Sequence, residues 1–270
     1  MVSAVLLVAV HSSVTASTTT APYWSEWRDL ATTPAGDGYW LAQESGRVAA
    51  FGAAEHHGDR FELPHEPMIG IAAAPDGKGY WLAAADGGVF TFGTARFYGS
   101  AAELPLVAPV VAIEPTPTGR GYWLLASDGG VFGFGDAPFL GRVANEEAEA
   151  VALAASPSGS GYFITYSNFG PFAFGDAVSD GQLVTPHGDE ILVDVESTRS
   201  GRGAWLADFR GTVYAGTTAG VSHYGDADHI DLQGRITAMT RTPSGNGYWL
   251  LGSDGGVFTF GDARFFGSRP

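Results

Sequence analysis

The sequence predicts an all-β protein, a six-bladed β-propeller built from four-stranded repeats of about 42 residues. Three observations carry this. One phrase, at its clearest Gly-Tyr-Trp-Leu followed by Asp-Gly-Gly-Val-Phe-x-Phe-Gly, returns six times, beginning at Tyr39, Tyr80, Tyr122, Tyr162, Ala204 and Tyr248. Its second position (Trp40, Trp81, Trp123, Phe163, Trp205, Trp249) advances in steps of 41, 42, 40, 42 and 44 residues. Within each copy, short apolar runs alternate with Gly-rich turns, and no run keeps a helical apolar stripe.

The second copy displays the elements in order. Ile69-Gly-Ile-Ala-Ala-Ala is an apolar run stopped by the turn signal Pro75-Asp-Gly-Lys-Gly. Tyr80-Trp-Leu-Ala-Ala forms a second run, ended at Asp86-Gly87-Gly88, and Val89-Phe-Thr-Phe a third, ended at Gly93. Arg96-Phe-Tyr-Gly reads as a short fourth strand. In the third run Phe90 and Phe92 share one face and Val89 and Thr91 the other, and in the second run Tyr80 and Leu82 oppose Trp81 and Ala83. Both faces are apolar or aromatic, so each sheet needs a neighbour on each side, and the repeated Trp or Phe is expected between blades. Asp-Gly-Gly at Asp86, Asp128 and Asp254 reads as a hairpin turn, in which Asp accepts a backbone N–H. One carboxylate between small residues does not supply the oxygens of a calcium loop.

The repeats run approximately over 22–60, 61–101, 102–143, 144–183, 184–228 and 229–270, one domain from residue 22 to 270. Each is contiguous, from a first strand at Trp27–Thr33 to a last at Arg264–Gly267. The first and sixth copies should therefore meet at a seam without a hydrogen-bonded latch. Residues 1–21 differ: an apolar run, Val2 to Val10, precedes a polar tract with Val14-Thr15-Ala16, which reads as a signal peptide and Thr/Ser-rich linker although no Lys or Arg precedes it. The run is too short to span a bilayer. The expectation is a secreted or cell-surface monomer.

Composition narrows the function. Glycine is 39 of 270 residues, about twice the usual share, placed at matching turns. Asp and Glu outnumber Lys and Arg 29 to 14, giving a net charge of −15, and Lys78 is the only lysine. Such a surface repels phosphate backbones, so nucleic acid is not an expected partner. The chain has no cysteine, which excludes thiol chemistry. No nucleophile elbow, phosphate loop or His-Glu-x-x-His is present. His56-His57 with His65 and Glu66 does not read as a metal site, because adjacent strand residues point to opposite faces. No metal and no cofactor is expected.

Residues 39–268 resemble the Gly- and Trp-rich repeats common in secreted actinobacterial proteins. Gly121-Tyr-Trp-Leu-Leu-Ala-Ser-Asp-Gly-Gly-Val-Phe-Gly-Phe-Gly-Asp136 and Gly247 to Ser268 carry the likeness. The resemblance implies a secreted propeller-like module associated with cell walls or glycans. More distantly, the Asp-Gly hairpins are similar to those of quinoprotein-type and tachylectin-type propellers, from which no ligand residue carries over.

Three copies depart from the pattern: the first at Gln43-Glu-Ser-Gly46, the fourth at Asn168-Phe-Gly-Pro171, and the fifth at Asp208 to Asp226. The fifth adds Phe209, Arg210, His223, Tyr224, Asp226 and His229, with Asp231 nearby, as a candidate ligand-binding set. Trp40, Trp81, Trp123, Phe163, Trp205 and Trp249 are assigned to the core. Carboxylates for a glycosidase exist at Glu114 and at Glu146-Glu147-Glu149, without sequence evidence that they converge. The reading favours a non-catalytic propeller that binds a glycan, a cell-wall component or a protein. The alternatives are a carboxylate-based hydrolase or lyase, which convergent carboxylates and an arginine in one pocket would favour, and a structural scaffold.

Overall fold

The computed structural model describes residues 25–60, 66–143, 148–180, 182–216 and 221–269. The candidate signal peptide, His65, Glu146 and Glu147 lie outside the described residues. The described chain is all β: eighteen strands in six three-stranded antiparallel sheets, a repeated architecture compatible with a propeller-like fold. Sheet one is β1 (Trp27–Thr32), β2 (Gly38–Gln43) and β3 (Val48–Gly52). Sheet two is β4 (Met68–Ala73), β5 (Gly79–Ala84) and β6 (Val89–Gly93), and sheet three β7 (Val110–Pro115), β8 (Gly121–Ala126) and β9 (Val131–Gly135). Sheet four is β10 (Ala150–Ala155), β11 (Gly161–Tyr166) and β12 (Phe169–Gly175). Sheet five is β13 (Leu192–Ser197), β14 (Ala204–Asp208) and β15 (Val213–Ala215), and sheet six β16 (Ile236–Arg241), β17 (Gly247–Gly252) and β18 (Val257–Gly261). Each sheet is a plain meander in chain order.

The middle strands are buried along their whole length, apart from Gln43 at the end of β2. Trp40, Trp81, Trp123, Phe163, Trp205 and Trp249 are each at most 2% exposed, and each packs with residues of the following sheet. The Asp-Gly-Gly turns are held by their aspartates: Gly88, Gly130 and Gly256 N–H donate to Asp86, Asp128 and Asp254 Oδ1 at 2.8, 2.9 and 3.0 Å.

The fourth run of each repeat is not a strand. Arg96 to Gly99 pairs with no sheet; it forms a strap that crosses to the next one. Its backbone groups are taken by side chains, which removes the reason to form a ladder. Trp81 Nε1 donates to Arg96 C=O (2.7 Å), and Tyr98 N–H donates to the Tyr122 hydroxyl of sheet three (3.2 Å), which donates onward to Gly99 C=O. The same indole bond runs from Trp40 to Glu55, Trp123 to Pro138, Trp205 to Ser222 and Trp249 to Arg264. The same tyrosine clamp recurs at Tyr80 on Gly58, Tyr162 on Gly141 and Tyr248 on Gly225. Glycine is required there: a Cβ on Gly99, at φ +137°, would come within 2.5 Å of the Phe134 ring.

Sheet five has Ala204 where the others carry tyrosine. The strap from sheet four is held there by backbone instead: Val178 N–H donates to Gly201 C=O (3.0 Å), and Gly203 N–H donates to Val178 C=O (2.7 Å).

The first strands touch in the order β1, β4, β7, β10, β13, β16, and β16 in turn touches β1. The sixth and first sheets meet without a shared-sheet latch, as the contiguous repeats lead one to expect, and hydrogen bonds nonetheless join them. Tyr39 donates to Gly267 C=O (2.5 Å) and accepts from Phe266 and Gly267 N–H. Trp27 N–H donates to Ser253 C=O (2.9 Å), the counterpart of Met68 to Glu44, Val110 to Ala85, Ala150 to Ser127, Leu192 to Ser167 and Ile236 to Phe209. Among the described residues the two ends of the chain share no sheet, and this junction is built like the others.

Two outcomes follow for stability. Trp123→Ala should cost about 3–5 kcal/mol, as truncation of a large core side chain does. Tyr39→Phe should cost about 1–3 kcal/mol by leaving strap amides without a partner, and Tyr122→Phe the same. Urea titration of the three variants measures this, and a Tyr39→Phe effect far below that of Tyr122→Phe would contradict equivalent junctions.

Candidate functional site

A cavity of about 440 Å³ lies between the six first strands and is lined by residues of all of them. Small residues at equivalent strand positions, Ala112, Ala152 and Ala238, are part of its lining. Into it the sequence places Asp29 on β1, Glu114 on β7, Asp194 and Glu196 on β13, and Arg241 on β16. Six hairpin turns surround one end, where Gly36, Gly77, Gly119 and Gly159 sit against Pro243, Pro34, Pro75 and Pro117 of the preceding sheets. Arg199 replaces this proline in sheet five and donates from its guanidinium to Pro243 C=O (2.8 Å).

First strands are edge strands, so their outer N–H groups need partners. The carboxylates supply them across alternate junctions. Ile71 N–H donates to Asp29 Oδ2 (2.8 Å), Ala155 N–H to Glu114 Oε1 (3.0 Å), Met239 N–H to Asp194 Oδ2 (2.6 Å) and Arg241 N–H to Glu196 Oε1 (3.3 Å). Acidic residues on β1, β7 and β13 thus reach β4, β10 and β16. Glu196 Oε2 also faces Arg241 Nε at 3.7 Å.

Burial raises the proton affinity of all four acids. Asp29 rises from 3.8 to about 7, by desolvation that outweighs the two backbone N–H bonds and Arg28. Glu114 rises from 4.5 to about 8, by desolvation and then the charge of Glu196. Asp194 is pushed well above its ordinary value by desolvation and then Asp29, and Glu196 is raised by desolvation against the opposing pull of Arg241. The four share one field in which full ionisation is unfavourable.

Of these residues the sequence reading singled out Glu114 alone. Aligning the six first strands would have exposed the others, since Asp29 and Asp194 stand where Gly70, Ala112, Ala152 and Ala238 do, and Glu196 stands where Ala31, Ala72 and Ala154 do. Glu149 uses its backbone C=O to accept from Ser167 N–H. His56 faces Asp59 (3.7 Å), while the His57 ring sits against Trp40 and Tyr80.

The fifth-copy set divides in two. Phe209 and Arg210 lie on the turn after β14, the Arg210 guanidinium 5.4 Å from the Phe209 ring and 3.9 Å from Glu190. His223, Asp226 and His229 lie on the following strap, with Asp231 just beyond, and Tyr224 packs inward and donates to Gly245 C=O (3.1 Å). Ala227 N–H donates to Gly211 C=O (2.9 Å), which brings turn and strap to one end of sheet five.

The straps also carry a repeated feature that the sequence reading missed. Phe97, Phe139 and Phe265, all at one repeat position, are 59%, 61% and 60% exposed. Their neighbours Tyr98, Leu140 and Phe266 point inward against the core. A phenylalanine used for packing would be buried, so these three rings have no core role. His56, Ser179 and His223 occupy it in the other copies. Beside Phe139 a second cavity of about 270 Å³ is lined by Val107, Asp128, Phe132 and Arg142.

No family model and no curated protein matches this chain.

The raised acids set a pH dependence. Their folded values exceed the unfolded 3.8 and 4.5, so their contribution is complete below about pH 4 and is lost as pH rises through 7 and 8. Asp176, held low by the Ser158 and then the Ser156 hydroxyl, acts oppositely and only under more acidic conditions. Unfolding free energy should therefore be higher at about pH 5 than at pH 9, with a shallower slope in Glu114→Gln; a slope of opposite sign would refute the assignment.

Proposed function

We propose that the six sheets form a closed six-bladed β-propeller of the secreted Gly/Trp-rich repeat type, exported to the cell surface or beyond. It acts as a non-catalytic binding module for a glycan or cell-wall component. The observation that carries this reading is the exposed phenylalanine repeated at one strap position. The C–H face of a sugar ring is apolar, and covering Phe97, Phe139 or Phe265 with it removes apolar surface from water. Arg96 and Arg264, exposed beside two of these rings, are donors for hydroxyl or carboxylate groups. Each contact is weak, and repetition along a polymer multiplies it. The fifth-copy residues Phe209, Arg210, His223, Asp226 and His229 belong to this surface as a divergent station, with Tyr224 as its support.

A second reading, a hydrolase or lyase, is favoured by the convergence of Asp29, Glu114, Asp194, Glu196 and Arg241 in one cavity. Against it, each carboxylate already accepts a backbone N–H and serves the junction between two sheets.

Co-sedimentation with insoluble cell-wall polysaccharides separates the two. The triple variant Phe97→Ala, Phe139→Ala, Phe265→Ala should lose binding, with each substitution altering stability by no more than about 0.5 kcal/mol. Retained binding in that variant, or its loss in Glu114→Gln with the phenylalanines intact, would overturn the strap reading.

A further inference from the structure

The strap of sheet five differs in chemistry from the other described straps. In sheets two, three and six the exposed position and the residue three places on are Phe97 and Ser100, Phe139 and Arg142, and Phe265 and Ser268. In sheets one and five both positions change together, to His56 with Asp59 and to His223 with Asp226. Sheet one stops there, and the next residue, Arg60, lays its guanidinium 4.1 Å from the Phe90 ring. Sheet five continues with Asp228 and His229.

The result is a convergence of nitrogen and oxygen donors. His229 Nδ1 lies 3.3 Å from Asp228 Oδ1 and 3.7 Å from Asp226 Oδ1, and ligand atoms of all three residues fall within 4.8 Å of one another. His223 Nε2 meets the other oxygen of Asp226 at 3.4 Å. A tetrahedral ion with bonds of about 2.0–2.2 Å needs ligand atoms about 3.3–3.6 Å apart. Small rotations of the exposed Asp228 and His229 side chains reach that spacing.

The backbone beneath is fixed. Ala227, between the two aspartates, is fully buried and bonded to Gly211, and Ile230 N–H closes a turn onto Ala227 C=O (3.0 Å). Asp226 feels the like charge of Asp228 and, when they are protonated, the opposite charges of His223 and His229. In the neutral tautomer with its proton on Nε2, His229 offers the Nδ1 lone pair beside two carboxylates, and a cation between them relieves their like charge.

We propose that Asp226, Asp228 and His229 bind a divalent first-row transition metal of the Zn²⁺ class, with His223 orienting Asp226 from the far side. Mixed imidazole and carboxylate donors suit such an ion better than Ca²⁺ or Mg²⁺, which take oxygen alone. Three protein ligands leave one position for water or for a donor atom of a bound molecule.

The test uses the whole chain, free of any polyhistidine tag and stripped with chelator, titrated calorimetrically with Zn²⁺ near neutral pH. One ion should bind per chain, Co²⁺ should bind with a visible d–d band, and Ca²⁺ should not compete. His229→Gln and Asp228→Asn, both on exposed side chains and checked for native circular dichroism, should each weaken binding about tenfold or more, and His223→Gln by less. His56→Gln should leave it unchanged. Absence of saturable one-to-one binding, or binding unaltered in His229→Gln and Asp228→Asn, would overturn the proposal.

Discussion

The double grip on five of the six straps, an indole from the sheet before and a phenol from the sheet after, is the interaction on which the rest of the molecule depends. Sheets of three short strands cannot stand alone, since their middle strands are apolar on both faces. What joins one sheet to the next is a length of chain with no ladder of its own. Trp81 binds its start and Tyr122 its end, each satisfying backbone groups that would otherwise be buried without partners. These two rings also pack on each other at a centroid distance of 5.8 Å, so one contact surface serves both hydrogen bonding and core burial.

A second set of bonds acts at the opposite edge of the sheets. The acids of the cavity span alternate junctions, and their burial has an electrostatic cost that the backbone bonds offset only in part. This placement separates the two surfaces of the molecule by chemistry. The cavity is acidic and its carboxylates hold first strands together, whereas the straps present aromatic and imidazole groups to solvent. The straps can vary without disturbing the first strands.

Much of the fold was legible because its signals are local. Turn chemistry at Asp86, Asp128 and Asp254 follows from a carboxylate two residues ahead of a glycine N–H, and strand periodicity follows from alternating side chains. The fourth run misled for a physical reason: Arg96-Phe-Tyr-Gly has strand composition, but its hydrogen bonds go to side chains 15 residues before and 24 residues after, which no local pattern reveals. The cavity acids were hidden in a similar way. Asp29 and Ile71 are 42 residues apart, and their meeting depends on the stacking of whole repeats. The exposed phenylalanines were visible as letters of the repeat, but composition alone gives an aromatic residue to the core.

The junction between sheets four and five shows how such a repeat can drift. The fourth strap has lost its aromatic, with Ser179 and Asp180 where Phe97 and Tyr98 stand, and the fifth sheet has lost its tyrosine, with a short parallel bridge between Val178 and Arg202 in their place. An aromatic strap passing onto Ala204 would find no hydroxyl for its backbone groups. The two repeats have therefore diverged as a matched couple. A transplant that moved the fifth repeat behind any other would break a junction, whereas the second, third and sixth, which keep both halves of the grip, are mutually exchangeable parts.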